Sequence, residues 1–289
     1  MARQLASRFR EPLVIVVSYN DVDALRKALA ALNGVDILVV DNSANLGVKA
    51  AAAEAGAAYV NSGGNVGFAR AVNLGIDRAH GRDVVLVNPD AEVSAQTVHA
   101  LVERMHAPRS RVAAVAPSLT EQDGRQQRVR WPFPTPAGAW LQAAGLGRLR
   151  SDAHGFLVGA VLALSASAIE RIGGFDGTFF LYGEETDWER RAIDDGWSVV
   201  LAEDQLASHV GGGSSPEQWR REVHFHAGGE RYIRKWFGWP GWASYRLATI
   251  VGAVVRSVLL RGARRAEAAR RLVLYLHGPM RRERQVRAQ

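Results

Sequence analysis

Five short apolar runs rich in β-branched residues constrain this chain more than any other feature: residues 13–17, 36–40, 57–60, 83–87 and 112–116. Between them, residues 21–32, 46–55, 66–79 and 95–105 carry helix-like patterns. An apolar run without alternation reads as a strand buried on both faces, and such strands pair in parallel with helices as crossovers. The expected fold class is α/β, a doubly wound, mostly parallel sheet that gathers ligands at the carboxyl ends of its strands.

The pattern breaks at residues 121–149, where Trp131-Pro132-Phe133-Pro134-Thr135-Pro136 fits neither regular helix nor central strand and reads as a flexible connection. An apolar run at 155–164 follows, then a helix from Ser165 stopped by Gly173-Gly174 and another from about Glu184 to Asp195 stopped by Gly196. After a glycine-rich loop at 211–215 come three helical stretches. The expected domains are a catalytic one at 1–215, with a nucleotide half at 1–118 and an acceptor half at 150–215, and a helical extension at 216–289. No internal repeat is visible.

Composition excludes several function classes. There is no cysteine, which removes disulfides, zinc–thiolate sites and thiol nucleophiles. The first strand turns at Ser18-Tyr19-Asn20, so the G-x-G-x-x-G dinucleotide fingerprint is missing, as are a Walker loop and a G-x-S-x-G elbow. The net charge of +7 is concentrated: residues 256–289 hold ten Arg against Glu267 and Glu283, a local +8, which leaves about −1 for the rest. Such a tail suits an anionic surface. Tyr275 is its one aromatic residue, so the stacking platforms of single-strand binders are missing and no nucleic-acid partner is expected. The apolar runs at 13–17 and 247–260 are too short for a signal-peptide core and a spanning helix respectively. The expected location is the cytoplasm, peripheral at the inner face of the plasma membrane.

Polar residues close the strands where a doubly wound sheet exposes binding groups: Ser18-Tyr19-Asn20, Asp41-Asn42-Ser43 and Asn88-Pro89-Asp90. Each alone reads equally as a helix cap; three together line a nucleotide-sized crevice with carboxylates and amides. Glu184, Glu185 and Asp187 crowd one helix start, more carboxylates than a helix dipole requires, and their mutual repulsion raises the proton affinity of at least one. A carboxylate so tuned serves as a general base. His209 reads as either a core histidine or a ligand.

As a set, these residues resemble the family 2 glycosyltransferases, and within them the bacterial rhamnosyltransferase-like branch. The resemblance is carried by Val17-Ser18-Tyr19-Asn20, Val40-Asp41-Asn42-Ser43, the segment from Asn65 through Gly67 and Arg70 to Asn73, Asn88-Pro89-Asp90, Gly173-Gly174-Phe175-Asp176, Glu184-Glu185-Thr186-Asp187 and His209, in the family's order. It implies the A-type fold, a nucleobase on Asp41, and a nucleotide pocket shaped by Asn65, Gly67, Arg70 and Asn73. It also implies Mg²⁺ or Mn²⁺ on Asp90 and His209, and Glu185 as catalytic base with Glu184 and Asp187 in support. Asn88 stands at the first position of the D-x-D-type motif, one charge short. Glu185 stands where Asp is more usual, extending the reach by about 1.5 Å.

The implied reaction moves a sugar from a nucleoside-diphosphate donor, dTDP-L-rhamnose in the resembling branch, to a hydroxyl of a glycan or polyprenyl-diphosphate-linked acceptor, with inversion. A non-catalytic nucleotide-sugar-binding module and a transferase acting on a soluble acceptor are the competing readings. The tail adds an expected partner, an anionic membrane surface, while oligomeric state is not legible in the sequence.

Overall fold

Each apolar run becomes a strand in the computed structural model, which describes residues 11–108, 111–121, 123–210 and 218–287. These are β1 (Leu13–Ser18), β2 (Asp36–Asp41), β3 (Ala58–Asn61), β4 (Val84–Val87) and, after the two-residue β5 (Ala91–Glu92), β6 (Val112–Thr120). β1 and β4 are buried along their whole length, as unalternating apolar runs demand. The crossovers are α1 (Val22–Ala31), α2 (Leu46–Glu54), α3 (Phe68–Ala79) and α4 (Ala95–Met105). Side chains of Asp21, Asn45 and Ser94 cap α1, α2 and α4, each accepting from a first-turn amide that has no partner within its helix. Gly75 lets α3 lie close on β1, since a Cβ there would stand 2.7 Å from Ile15 Cδ1.

The remaining strands are β7 (Gln126–Gln127), β8 (Arg130–Trp131), β9 (Phe156–Leu157), β10 (Val161–Leu164) and β11 (Ser198–His209). The main sheet runs β3-β2-β1-β4-β10-β6-β11-β5, with β7 paired to β6. Pairing is parallel from β3 to β4 and between β6 and β11. β10 enters antiparallel between β4 and β6, and β5 closes the edge antiparallel to β11. The sheet is thus mostly parallel, as expected, with one reversed strand at its centre. Buried on both faces, β10 carries the same unalternating pattern as its parallel neighbours, so apolarity does not reveal its direction.

The expected flexible connection at 121–149 is instead structured, forming β7, β8 and the helix α5 (Pro136–Ala143). Thr135 caps α5 by accepting from the Gly138 amide, and Pro136 occupies the first turn, where a missing N–H breaks no helical bond. α6 (Ala166–Ile172) and α7 (Glu184–Asp194) precede and follow the Gly173-Gly174 turn.

The chain forms two compact units. The first comprises Met1–Trp131, Phe156–Phe180 and Glu184–Ser214, and contains the sheet. The second takes Pro132–Gly155 and Leu181–Gly183 as well as Ser215–Gln289. It is helical: α5, α8 (Gln218–Leu259), α9 (Gly262–His277) and α10 (Pro279–Arg287). α8 breaks at Gly238, whose φ of 62° and ψ of −165° suit glycine, two residues before Pro240. Tyr232, Trp242 and Tyr275 fill its core. Glu283 of α10 is buried between His224 and Arg231 of α8. Burial alone would raise its pKa, but the hydrogen bonds from those two partners outweigh it and hold the carboxyl below the usual range.

Candidate active site

The carboxyl ends of β1 and β2 and the start of α3 form one end of the site. Asp41 is fully buried there, and its carboxylate is occupied: Oδ1 accepts from Ser43 N (2.9 Å), Ser43 Oγ (2.8 Å) and Ala44 N (3.1 Å), and Oδ2 from the Tyr59 hydroxyl (2.8 Å). Asp41 therefore organises the crevice floor, and a base reaching its carboxylate must displace the Tyr59 hydroxyl. Asn42 works similarly, its amide bridging Asn65 Oδ1 (3.2 Å), Ser62 Oγ (3.1 Å) and Val66 N (3.0 Å). Ser18 is buried with its hydroxyl lacking any hydrogen-bond partner. Tyr19, Asn20 and Asn65 are the members of this group that stand exposed.

The segment 65–73 ties this floor to the turn before α7. Gly67 has φ of 88°, and a Cβ on it would lie 2.7 Å from the Phe180 carbonyl oxygen, so only glycine fits. Arg70 Nε donates to the Gly177 carbonyl (3.0 Å). Asn73 pairs with both the N–H and the C=O of Phe175, each at 2.8 Å. Asn73 thus holds the Gly173-Gly174-Phe175-Asp176 turn at Phe175, and Arg70 holds the chain just after it at Gly177.

At the end of β4, Asn88 N donates to the Ala160 carbonyl (2.9 Å), and a tight turn delivers Asp90 to the edge strand β5. β5 pairs with the end of β11 in the register Ala91↔His209, and this brings Asp90 and His209, 119 positions apart, together. His209 Nε2 stands 3.5 Å from Asp90 Oδ1. Two ligands of one divalent ion, on bonds of about 2.1 Å at 90–110°, lie about 3.0–3.4 Å apart, and the 3.5 Å between these two donors is close to that range. Among the described residues no group of three or more His, Asp, Glu or Cys side chains could hold a metal.

On α7, burial separates carboxylates that look equivalent in the sequence. Asp187 is wholly buried and accepts from Arg191 Nε (3.0 Å), whose other nitrogens donate to the Ile172 and Gly174 carbonyls. It is a clamp on the turn. Glu184 is also buried; burial raises its pKa well above the glutamate range and Glu185 adds to the shift. Glu189, one turn after Glu185, is fully buried and accepts from Leu157 N (2.8 Å), and burial raises its pKa likewise. In both, burial disfavours the charged form. Glu185 itself is half-buried beside Gly159, and is the glutamate of the three that can meet a ligand.

Sequence reasoning passed over Tyr59, Ser62, Gln127, Glu189 and Arg191. Only the last two carried a signal, the i,i+4 spacings Glu185–Glu189 and Asp187–Arg191.

A sheet of this order, with an Asp–His pair and a glutamate-bearing helix at its carboxyl edge, defines the A-type glycosyltransferase fold. Residues 13–173, more than half of the chain, match glycosyl transferase family 2, and the chain belongs to that family. The match ends before Glu185 and His209. Among curated proteins, the chain is similar to the low-salt glycan biosynthesis hexosyltransferase Agl10 of Haloferax volcanii, 26% identical over 192 residues, covering 62% of this chain and 60% of that protein's length. It is also similar to an N-acetylglucosaminyl-diphospho-decaprenol L-rhamnosyltransferase of Mycobacterium tuberculosis, 28% identical over 236 residues, 68% of this chain and 75% of the relative. Among solved structures, the mannosyltransferase PcManGT from Pyrobaculum calidifontis, in complex with GDP-Man and Mn²⁺, shares the fold with a TM-score of 0.59 at 17% identity, covering 95% of this chain and 83% of that one. Glucosyl-3-phosphoglycerate synthase from Mycobacterium tuberculosis, in complex with Mn²⁺, UDP and glucosyl-3-phosphoglycerate, gives 0.57 at 16% identity, covering 80% and 81%.

Proposed function

We propose that this protein is an inverting glycosyltransferase that moves a sugar from a nucleoside-diphosphate donor to an acceptor hydroxyl. The observation that carries the reading is the pairing of Asp90 with His209 at the end of the sheet, together with the partly buried Glu185 beside Gly159. Glu185 takes the acceptor proton on its carboxylate as the acceptor oxygen bonds to the anomeric carbon and the bond to the diphosphate breaks; one displacement inverts the centre. Asp90 and His209 would hold Mg²⁺ or Mn²⁺, which supplies positive charge against the departing diphosphate. Tyr19, Asn20, Asn65 and Asn88 line the nucleotide end, and Ser18, Asp41, Asn42, Gly67, Arg70 and Asn73 hold its shape. A nucleotide sugar that binds only the folded protein raises its melting temperature. A panel of donors with and without Mn²⁺ should give a metal-dependent rise for one of them; no rise with any donor speaks against the site.

The name of the mycobacterial relative makes an activated L-rhamnose the first donor to test, with dTDP as the nucleotide implied by the resembling branch, and a polyprenyl-diphosphate-linked sugar the first acceptor. No helix among the described residues is long and apolar enough to cross a membrane. A surface association is supported by the second half of α8. Its small residues Ala248, Gly252 and Ala253 face inward, while Leu247, Val254, Val258 and Leu259 are exposed, the last two by about three quarters. Arg256, on the inner side, donates to the Gln142 carbonyl of α5. The exposed apolar stripe leads into the exposed Arg264 and Arg265 of α9. Each basic residue near an anionic leaflet contributes roughly 1 kcal/mol. The protein should therefore co-sediment with anionic vesicles at low salt, lose this at high salt, and bind them more weakly when the exposed Arg264 and Arg265 are replaced by Glu. Equal binding to neutral vesicles would assign the association to the apolar stripe and not to the arginines, and no binding to anionic ones favours a soluble acceptor.

A further inference from the structure

Gln127 reaches across the end of β6 to His209. Its strand β7 pairs with one edge of β6 at Leu119, and β11 pairs with the other edge at the same residue. Gln127 Nε2 donates to the His209 carbonyl at 2.8 Å, and Gln127 Oε1 lies 3.0 Å from His209 Nδ1. These two contacts determine more than a packing arrangement. A carbonyl oxygen only accepts, so the amide has one orientation, with Nε2 toward the carbonyl and Oε1 toward the ring. An amide oxygen also only accepts, so the hydrogen sits on Nδ1. In the neutral imidazole the lone pair is then on Nε2, the atom that faces Asp90 Oδ1.

We propose that Gln127 is a positioning residue for the cation site: it locks His209 in the Nδ1–H tautomer and aims the Nε2 lone pair at the point shared with Asp90. The inference rests on the metal-binding reading of the Asp90–His209 pair. Gln127 acts through His209 and from a paired strand, so the ring is oriented before any ligand arrives. A hydrogen bond to the distal nitrogen of a ligating histidine typically changes metal affinity by about 10- to 100-fold.

Gln127→Met keeps the side-chain length and removes the acceptor; Gln127→Glu keeps an acceptor at Nδ1. The first readout needs no metal: long-range ¹H–¹⁵N correlation spectra of histidine-labelled protein at pH 8, with His209 assigned by its loss in His209→Ala. The wild type should show His209 protonated on Nδ1, and Gln127→Met should populate the Nε2–H form. The second is Mn²⁺ affinity, followed by the electron-paramagnetic signal of the free ion with UDP, GDP and dTDP in turn. Gln127→Met should weaken binding about 10- to 100-fold, and Gln127→Glu should restore most of it. An Nε2–H tautomer in the wild type overturns the assignment without recourse to any variant. So does Gln127→Met with unaltered tautomer and Mn²⁺ affinity while His209→Ala is weakened. Unaltered Mn²⁺ affinity in His209→Ala overturns the metal reading itself, and the role of Gln127 with it.

Discussion

Asp90→Ala is expected to abolish metal-dependent nucleotide binding and reduce transfer by at least about 10³-fold, with the melting temperature nearly unchanged. The size follows from the several kcal/mol that a divalent ion contributes at a departing diphosphate, at about 1.4 kcal/mol per tenfold in rate. The fold should tolerate the change because the Asp90 side chain is a third exposed on its loop. The local strand contact is made by its backbone, whose carbonyl accepts from Val210 N (3.1 Å). Calorimetry with nucleoside diphosphate and Mn²⁺, beside a transfer assay, checks both parts. Undiminished turnover with Mg²⁺ or Mn²⁺ present would remove Asp90 from the site.

Glu185→Gln is expected to keep donor affinity and lose at least about 10²-fold in transfer, the low end for removal of a general base. The amide preserves shape and hydrogen-bonding reach but cannot take a proton at neutral pH. Asp187→Asn provides the contrast. It breaks the buried Asp187–Arg191 pair that clamps the Ile172–Gly174 turn, so its main effect should be a loss of about 3 kcal/mol in stability. A native melting temperature with no activity in Asp187→Asn, together with an active Glu185→Gln, would transfer the base assignment to Asp187.

These assignments show where sequence reading works for this chain and where it stops. Unalternating apolar runs located β1, β2, β4 and β6 because a two-sided buried strand has no other pattern. The strand-end polar residues followed from the same logic, since a doubly wound sheet exposes them at one edge. What lay beyond reach depended on burial or on register. Glu184, Glu185 and Asp187 are three carboxylates at one helix start in the sequence, and only burial and pairing separate the Arg191-bound Asp187 from the more accessible Glu185. Asp41 reads as an open carboxylate until Tyr59 of the neighbouring strand is seen to occupy it. Gln127 and His209 lie 82 positions apart and meet because β7 and β11 flank β6, a pairing no local pattern encodes. The proline-rich segment misled for a local reason: Pro136 falls in a helical first turn capped by Thr135, the one helical setting that accepts proline without loss.

The central claim is that the Glu185 edge performs a single displacement at an anomeric carbon. The most direct test is to incubate the wild-type protein with the nucleotide sugar that stabilises it, with Mg²⁺ or Mn²⁺ and with water or an added acceptor. Nucleoside-diphosphate release is followed together with the anomeric configuration of the first-formed product by NMR. The account predicts release that requires the metal and a product of inverted configuration. A donor that binds yet is never turned over would mark a nucleotide-sugar-binding module, and a product of retained configuration would contradict the assignment of Glu185 as a base.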